Sequence, residues 1–363
     1  MPLLQLAACP FFTSAFRTTC IIPFDKGSKA LARHPALLAE STGLTRSFLT
    51  PAENSRIVGH TETLTEDNLR TRISLSLVLP LFLLPCLSAG QSNNRVTILY
   101  DAFGKSPAMT KAWGYSALVE YEGKRILFDT GGNAEIFEHN VRALGVDLTK
   151  LDFAVLSHRH SDHISGLNYL LRVNPTVKIY APAEPWGPFG WSVPNSFYRK
   201  DESLAANMRY FDGNPPGALS ASTPWPQANF VRVDSTTEIM PGVFLVPSTS
   251  QVTGTLELRE ISMAIRGPQG LIIVDGCSHA GVEKVFEAAT KIDSHVRVLF
   301  GGLHLVGASD ADIQRISAAL YDQWKLDYLA IGHCSGEPTF ATLQKAFGDR
   351  YLYAGVGTTV EIP

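Results

Sequence analysis

The sequence predicts an α/β protein in which two β-sheets pack face to face with helices outside, a four-layer αβ/βα sandwich. Two observations carry this. Each half of the chain opens with a meander of short strands and then alternates strand with helix. Several of the apolar strands end in turns that bear histidine or aspartate, as strands sharing one functional edge do.

In the first half, 96–100 reads as a strand. Strands at 116–121 and 125–128 follow, joined by the hairpin-like turn Glu122-Gly123-Lys124. The stretch 134–144 has helical spacing and stops at Gly145. The run 153–156 is short and apolar, a buried strand; 165–171 is helical, and 177–180 is another strand. Residues 182–229 break the rhythm, being rich in Pro and Gly and holding Trp186, Phe189, Trp191, Phe197, Tyr198, Tyr210, Phe211 and Trp225. Disordered loops are poor in aromatics, so this one reads either as an ordered lid or substrate wall, or as a satellite cluster packed on the core. In the second half, 244–246, 256–265 and 271–274 read as strands. Helices at 281–292, 310–324 and 337–347 then alternate with strands at 296–300 and 328–331, and short strands run up to Ile362.

The expected organisation has three parts: 1–69, 70–90 and 91–363. Residues 1–69 hold scattered Pro, Ser and Thr and no amphipathic stretch, so they read as disordered or as upstream sequence outside the working protein. Residues 70–90 read as a secretory signal peptide: Arg70 and Arg72, an apolar run over 73–87, then Ser88-Ala89-Gly90-Gln91. The run, about 15 residues, is short for a membrane span, which needs roughly 20, and it contains Pro80 and Pro85. A signal in this position implies translation starting near Leu69 at a non-Met codon; the alternative is a buried or membrane-inserted helix. A lipid anchor at Cys86 is disfavoured by Pro85. The expected location is therefore periplasmic or secreted, with no stable membrane anchor after signal removal. The remaining part, about 270 residues, suffices for one large core.

The net charge of −3 gives no sign of a nucleic-acid partner. Cys9, Cys20 and Cys86 fall outside the expected mature chain, leaving Cys277 and Cys334, each close to a histidine. Two cysteines make no disulfide framework.

The chemistry concentrates in Leu156-Ser157-His158-Arg159-His160-Ser161-Asp162-His163-Ile164-Ser165-Gly166, where a strand ends and a helix begins. Imidazole and carboxylate are ligands that Zn²⁺ accepts. His158 and His160, alternate residues of an extended turn, can point to one place. Asp162 and His163, opening the helix, can point to a second place nearby. A lone histidine is more often surface decoration; three with a carboxylate in six residues are not. Three further histidines end apolar strands: Asp275-Gly276-Cys277-Ser278-His279, Gly301-Gly302-Leu303-His304 and Gly332-His333-Cys334.

His158-x-His160-x-Asp162-His163 after an apolar strand resembles the signature of the metallo-β-lactamase superfamily, and Asp129-Thr130-Gly131 resembles its strand-end turn. Gly276-Cys277-Ser278-His279, Gly301-Gly302-Leu303-His304-Leu305 and His333-Cys334-Ser335-Gly336-Glu337 are similar to one branch of it. That branch is typified by the synthase joining a dihydropterin pyrophosphate to ribofuranosylaminobenzene 5′-phosphate. The resemblance spans about 95–363, with the whole fold it implies.

It implies His158 and His160 on a first metal, and Asp162, His163 and His333 on a second. The third ligand of the first metal is Glu260 or His279. Cys277 aligns with the bridging carboxylate of relatives, which leaves one or two Zn²⁺ ions open; as a small buried residue it has an equally good reading. Asp129 would orient the ligand loop by hydrogen bonding. His304 is a candidate for direct function, and Cys334 for packing. The resemblance implies a zinc-dependent hydrolase that uses a metal-bound hydroxide on an ester, lactone, amide or phosphoester, with Asp162 orienting or deprotonating the water. The substrate would be a small molecule, and an aromatic one fits the loop. The alternative is a dihydropterin pyrophosphate-dependent transferase. A third reading, from another class, is a binding or sensing module that keeps the metals and has lost turnover.

The signal-peptide reading predicts that protein recovered from the culture medium or periplasm begins between Ser88 and Gln91. N-terminal sequencing checks this, and a mature chain starting well before Ser88 would refute it.

Overall fold

The computed structural model describes residues 94–251 and 257–363. The expected signal segment and everything before it lie outside these residues.

The first sheet is built from β1 (Arg95–Tyr100), β2 (Ser116–Tyr121), β3 (Lys124–Phe128), β4 (Phe153–Val155) and β5 (Lys178–Pro182). Around them run α1 (Ala134–Ala143), the short α2 (Ser161–Ile164) and α3 (Leu167–Val173). A two-stranded hairpin, β6 (Trp191–Pro194) and β7 (Ala218–Ala221), stands apart. The chain then adds β8 (Asn229–Val233) to the first sheet beside β5. The second sheet comprises β9 (Thr237–Met240), β10 (Val243–Ser250), β11 (Leu258–Gly267), β12 (Gly270–Asp275), β13 (Val296–Gly301) and β14 (Tyr328–Ile331). Its helices are α4 (Val282–Ala289), α5 (Asp310–Ala318) and α6 (Glu337–Phe347); β15 (Thr359–Glu361) returns to pair with β1.

Side chains alternate between two cores along the central strands, the period-two pattern of a pleated sheet covered on both faces. In β3, Ile126 and Phe128 enter the core between the sheets, while Leu127 joins Phe137, Val141 and Leu170 under the first helical layer. In β12, Ile272 and Val274 point into the same central core, whereas Leu271 and Ile273 meet Val285, Phe286 and Leu343 of the second helical layer. The expected four-layer αβ/βα sandwich is the architecture observed.

The differences are local. Residues 182–229, expected to be irregular, contain the β6–β7 hairpin; β8 and β9 follow. Their side chains are largely exposed, so the apolar pattern that marks a strand is absent. The helix expected over 165–171 appears as α3, and the short α2 precedes it, the two being broken at Ser165 and Gly166. A Cβ on Gly166 would stand 2.0 Å from the Thr130 carbonyl oxygen, so the break brings the helix against the Asp129 turn. The helix expected over 310–324 ends as α5 at Ala318 and continues as a π-turn to Gln323.

Strand direction positions the site. β3, β4 and β5 are mutually parallel, as are β12, β13 and β14. Their C-terminal ends deliver Asp129, Ser157, Gly276, Gly302 and Gly332 to one edge.

Asp275 and Gly301 lie side by side in the β12–β13 register, and Gly301 has φ +111°. A Cβ there would stand 1.7 Å from the Asp275 carbonyl oxygen. Gly301→Ala should therefore cost about 3 kcal/mol or more, readable as a lowered midpoint in urea unfolding.

Candidate metal centre

The histidines of the first motif meet those of the second half. The donor atoms of His158, His160 and His279 form one group, each within 4.8 Å of the others. Asp162, His163 and His333 form a second group by the same measure. The His158 Nε2 to His160 Nδ1 distance is 3.1 Å, as is that from His163 Nε2 to His333 Nε2. Asp162 Oδ2 lies 3.4 Å from His333 Nε2 and 3.8 Å from His163 Nε2. Cys277 Sγ stands between the groups, 3.2 Å from His163 Nε2 and clustered with His158.

The buried groups behind these rings set their orientation. Asp129 Oδ1 accepts from the Ser157 backbone N–H at 2.7 Å, and Oδ2 accepts from Ser157 Oγ at 2.7 Å. His163 Nδ1 lies 2.7 Å from Asp129 Oδ2, so this nitrogen carries a proton and Nε2 faces the cluster. Ser157 Oγ, having given its proton to Asp129, accepts from His158 Nδ1 at 2.8 Å, which turns the His158 Nε2 lone pair inward. Asp129 thus contacts both the start of the ligand loop and His163.

Several supporting residues escaped the sequence reading. Asp101, at the end of β1, accepts from the His333 backbone N–H at 2.9 Å. A Cβ on Gly332 would stand 2.3 Å from Asp101 Oδ2, so that glycine permits the approach. Asp275 accepts from Ser262 Oγ at 2.9 Å and from Ser278 Oγ, holding the turn that carries His279. The signal for both was a lone aspartate closing an apolar strand, which a turn-former also supplies. Asp129, Ser278, His304 and His333 all have positive φ, between 50° and 60°. Non-glycine residues in this region store strain, and here they gather around one cluster.

The structure separates the two candidates for the third ligand of the first group. His279 is in it; Glu260 is not. Glu260 Oε1 lies 3.8 Å from His158 Nδ1, on the ring edge away from the cluster, and Oε2 accepts from the Ala280 backbone N–H at 3.2 Å. Glu260 therefore braces the loop that presents His279. His304 is exposed at the rim, its ring centroid 4.0 Å from that of His279. Next to both runs a cavity of about 270 Å³ reached by Ser278, Glu283 and Arg315. Cys334, expected to be packing, lies inside the cluster with its Sγ 3.4 Å from Cys277 Sγ. Trp113 leans over the other side, half-exposed, with its ring 5.3 Å from His333.

Ionisation follows the surroundings. Burial, reinforced by neighbouring imidazoles, pushes His158 well below its usual range, His279 to about 3 and His333 to about 2. These rings are neutral, the form that offers a lone pair to a metal. His163 is opposed by burial, yet Asp129 outweighs it and raises its pKa. Burial raises Glu260, Asp275 to about 6 and Asp101 to about 8.

This donor set fits a cation. A tetrahedral Zn²⁺ with Zn–N bonds of about 2.0–2.1 Å places two ligand nitrogens about 3.3 Å apart. The two histidine pairs at 3.1 Å match that edge. His279 Nε2 is buried with no hydrogen-bond partner. Bare nitrogens converging in this way are costly unless a positive charge satisfies them.

The fold is the metallo-β-lactamase fold, and its strand-end edge carries groups of donors that could hold a metal ion. Residues 114–248 match the family described as the metallo-beta-lactamase superfamily. The chain is similar to the 7,8-dihydropterin-6-methyl-4-(beta-D-ribofuranosyl)-aminobenzene-5'-phosphate synthase of Methanocaldococcus jannaschii. The two are 29% identical over 291 residues, covering 71% of this chain and 94% of that protein. An uncharacterised protein of the same organism is 25% identical over 270 residues, 69% of this chain and 93% of that one. Among solved structures, Tm1679, a metal-dependent hydrolase of the beta-lactamase superfamily, superposes with a TM-score of 0.55 at 22% identity. It covers 74% of this chain and 99% of its own, a likeness of fold.

Removing the carboxylate that aligns His163 should weaken metal binding without unfolding the chain. Asp129→Asn is expected to lose about 10- to 100-fold in metal affinity, measured by competition with a chromogenic chelator. Unchanged affinity would show that Asp129 does not orient the ligand.

Proposed function

We propose that this chain is a zinc-dependent hydrolase acting on an ester, lactone, amide or phosphoester of a small molecule. The observation that carries this reading is the pairing of His158/His160/His279 with Asp162/His163/His333 at one strand-end edge. The proposed ligands are those six residues, with Cys277 placed to contact both groups. Bound there, one or two ions would polarise a substrate oxygen and acidify a water.

The chain's own groups supply the rest. Asp162 is partly exposed, so its carboxylate can take a proton from a water at the open side of the cluster. His304 carries a raised pKa, owing to its hydrogen bond with Cys334 and despite burial, and stands at the rim beside the 270 Å³ cavity. It is therefore placed to give a proton to a leaving group. Half-exposed Trp113 offers a flat apolar wall, which suits an aromatic substrate.

A second reading is favoured by a specific observation. Similarity to the pterin-linked synthase extends over 94% of that protein's length. On this reading the same cluster would serve a transferase that releases pyrophosphate from a dihydropterin pyrophosphate. The catalytic part is proposed to be 91–363, preceded by an export signal and working outside the cytoplasm; export fits the hydrolase better than a transferase of activated pterins.

One assay series separates these readings. Purified protein is offered phosphodiester, lactone and ester panels, and separately the pterin pyrophosphate with ribofuranosylaminobenzene 5′-phosphate. Hydrolysis that exhaustive chelation abolishes and Zn²⁺ restores, and that Asp162→Asn lowers by about 10²-fold or more, supports the hydrolase. Pyrophosphate release only with the pterin pair supports the transferase, and full activity after complete metal removal refutes both.

A further inference from the structure

The function proposed above leaves Cys334 unused. Its surroundings are unlike those of a packing residue. Cys277 and Cys334 are both free thiols and almost fully buried, yet neither belongs to any of the three hydrophobic clusters that make up the core. Their neighbours are polar. Cys334 Sγ lies 3.4 Å from Cys277 Sγ and 3.9 Å from the Cys277 carbonyl oxygen, and it bonds with His304. A Cβ on Gly302 would stand 2.8 Å from Cys334 Sγ, so the β13 turn leaves room for this thiol.

We propose that Cys334 is a metal ligand, and that with Cys277 and His333 it forms a thiol-rich position for a thiophilic cation of the Zn²⁺ type. This rests on the reading that the cluster holds metal, and it adds a sulfur pair to it. The donor atoms of these three residues all lie within 4.8 Å of one another, and all three side chains are buried. Two thiolates on one tetrahedral ion, with bonds of about 2.3 Å, stand about 3.8 Å apart. The sulfurs are already within half an ångström of that separation. The new position shares His333 with the Asp162/His163/His333 group, and its Cys277 also lies close to His158 and His163, so it overlaps the second position. Soft thiolates in place of a bridging carboxylate bias the centre toward soft cations and away from Mg²⁺ or Mn²⁺.

The test uses the cobalt-substituted full-length protein, because thiolate–cobalt(II) coordination gives a near-ultraviolet charge-transfer band that imidazole and carboxylate do not. The wild type should show this band, and Cys334→Ser should lower it by about half per bound cobalt, one thiolate of two being lost. A band equal to that of wild type in a metal-loaded Cys334→Ser protein overturns the proposal while leaving the histidine centre standing. A wild type that binds no cobalt and no zinc overturns the metalloenzyme reading itself. Should the variant not fold, the wild type suffices: metal loading should slow iodoacetamide labelling of both cysteines, read peptide by peptide. Equal labelling of Cys334 with and without metal overturns the proposal.

Discussion

The carboxylate of Asp129 receives the Ser157 backbone N–H, the Ser157 hydroxyl and His163 Nδ1, all from the loop that follows the neighbouring strand. Every participant is buried, and a buried carboxylate is tolerable only when its lone pairs are filled. Meeting that demand fixes the proton on one nitrogen of His163 and, through Ser157, on one nitrogen of His158. Both remaining nitrogens then face the same cluster. The arrangement depends on the parallel register of β3 and β4, in which Phe128 lies beside Val155. It also depends on Asp129 accepting a φ of 56°. A slip of one residue would turn the carboxylate to the opposite face of the sheet and leave the loop without its acceptor.

The second sheet supplies the other half of the centre by similar means. The Ile261 backbone N–H, on β11, donates to the Ser157 carbonyl at 2.8 Å and joins the two sheets beside the ligand loop. Asp275, Glu260 and Asp101 each brace a turn that carries a ligand candidate, through backbone or hydroxyl donors. Burial raises the pKa of all three, and for Glu260 and Asp101 part of its cost is met by protonation rather than by charge pairing. The central core between the sheets, with Phe128, Val155, Val274 and Phe300, holds the two sets of strand ends in register with one another. The geometry of the metal centre is in this sense a property of the whole sandwich.

A different part of the chain carries most of the exposed aromatic surface. The β6–β7 hairpin and its excursion expose Phe197, Met208, Tyr210 and Phe211, and enclose a cavity of about 230 Å³. Trp186 meets Trp191 and Phe197 in tilted ring contacts, so the expected aromatic region has contacts of its own. Its base meets the ligand loop where Gly187 approaches the Arg159 side chain and Arg159 pairs with Glu184. A fold by itself does not choose a substrate.

The sequence by itself determined the layers and one half of the site. Period-two burial and short apolar runs were enough for the two sheets, and His158, His160, Asp162 and His163 were legible because local geometry places residues so near in sequence. The short strands β8 and β9 were illegible for the converse reason, since only a few of their side chains, such as Phe230, Val233, Ile239 and Met240, reach the core and the rest are exposed. The tertiary structure alone decided the rest. His279 rather than Glu260 joins the first histidines, His333 meets His163 across 170 residues of chain, and two cysteines come within contact of one another. Sequence spacing cannot settle such matters, because the convergence of distant strand ends is set by how two sheets pack, and packing depends on every side chain in the core between them.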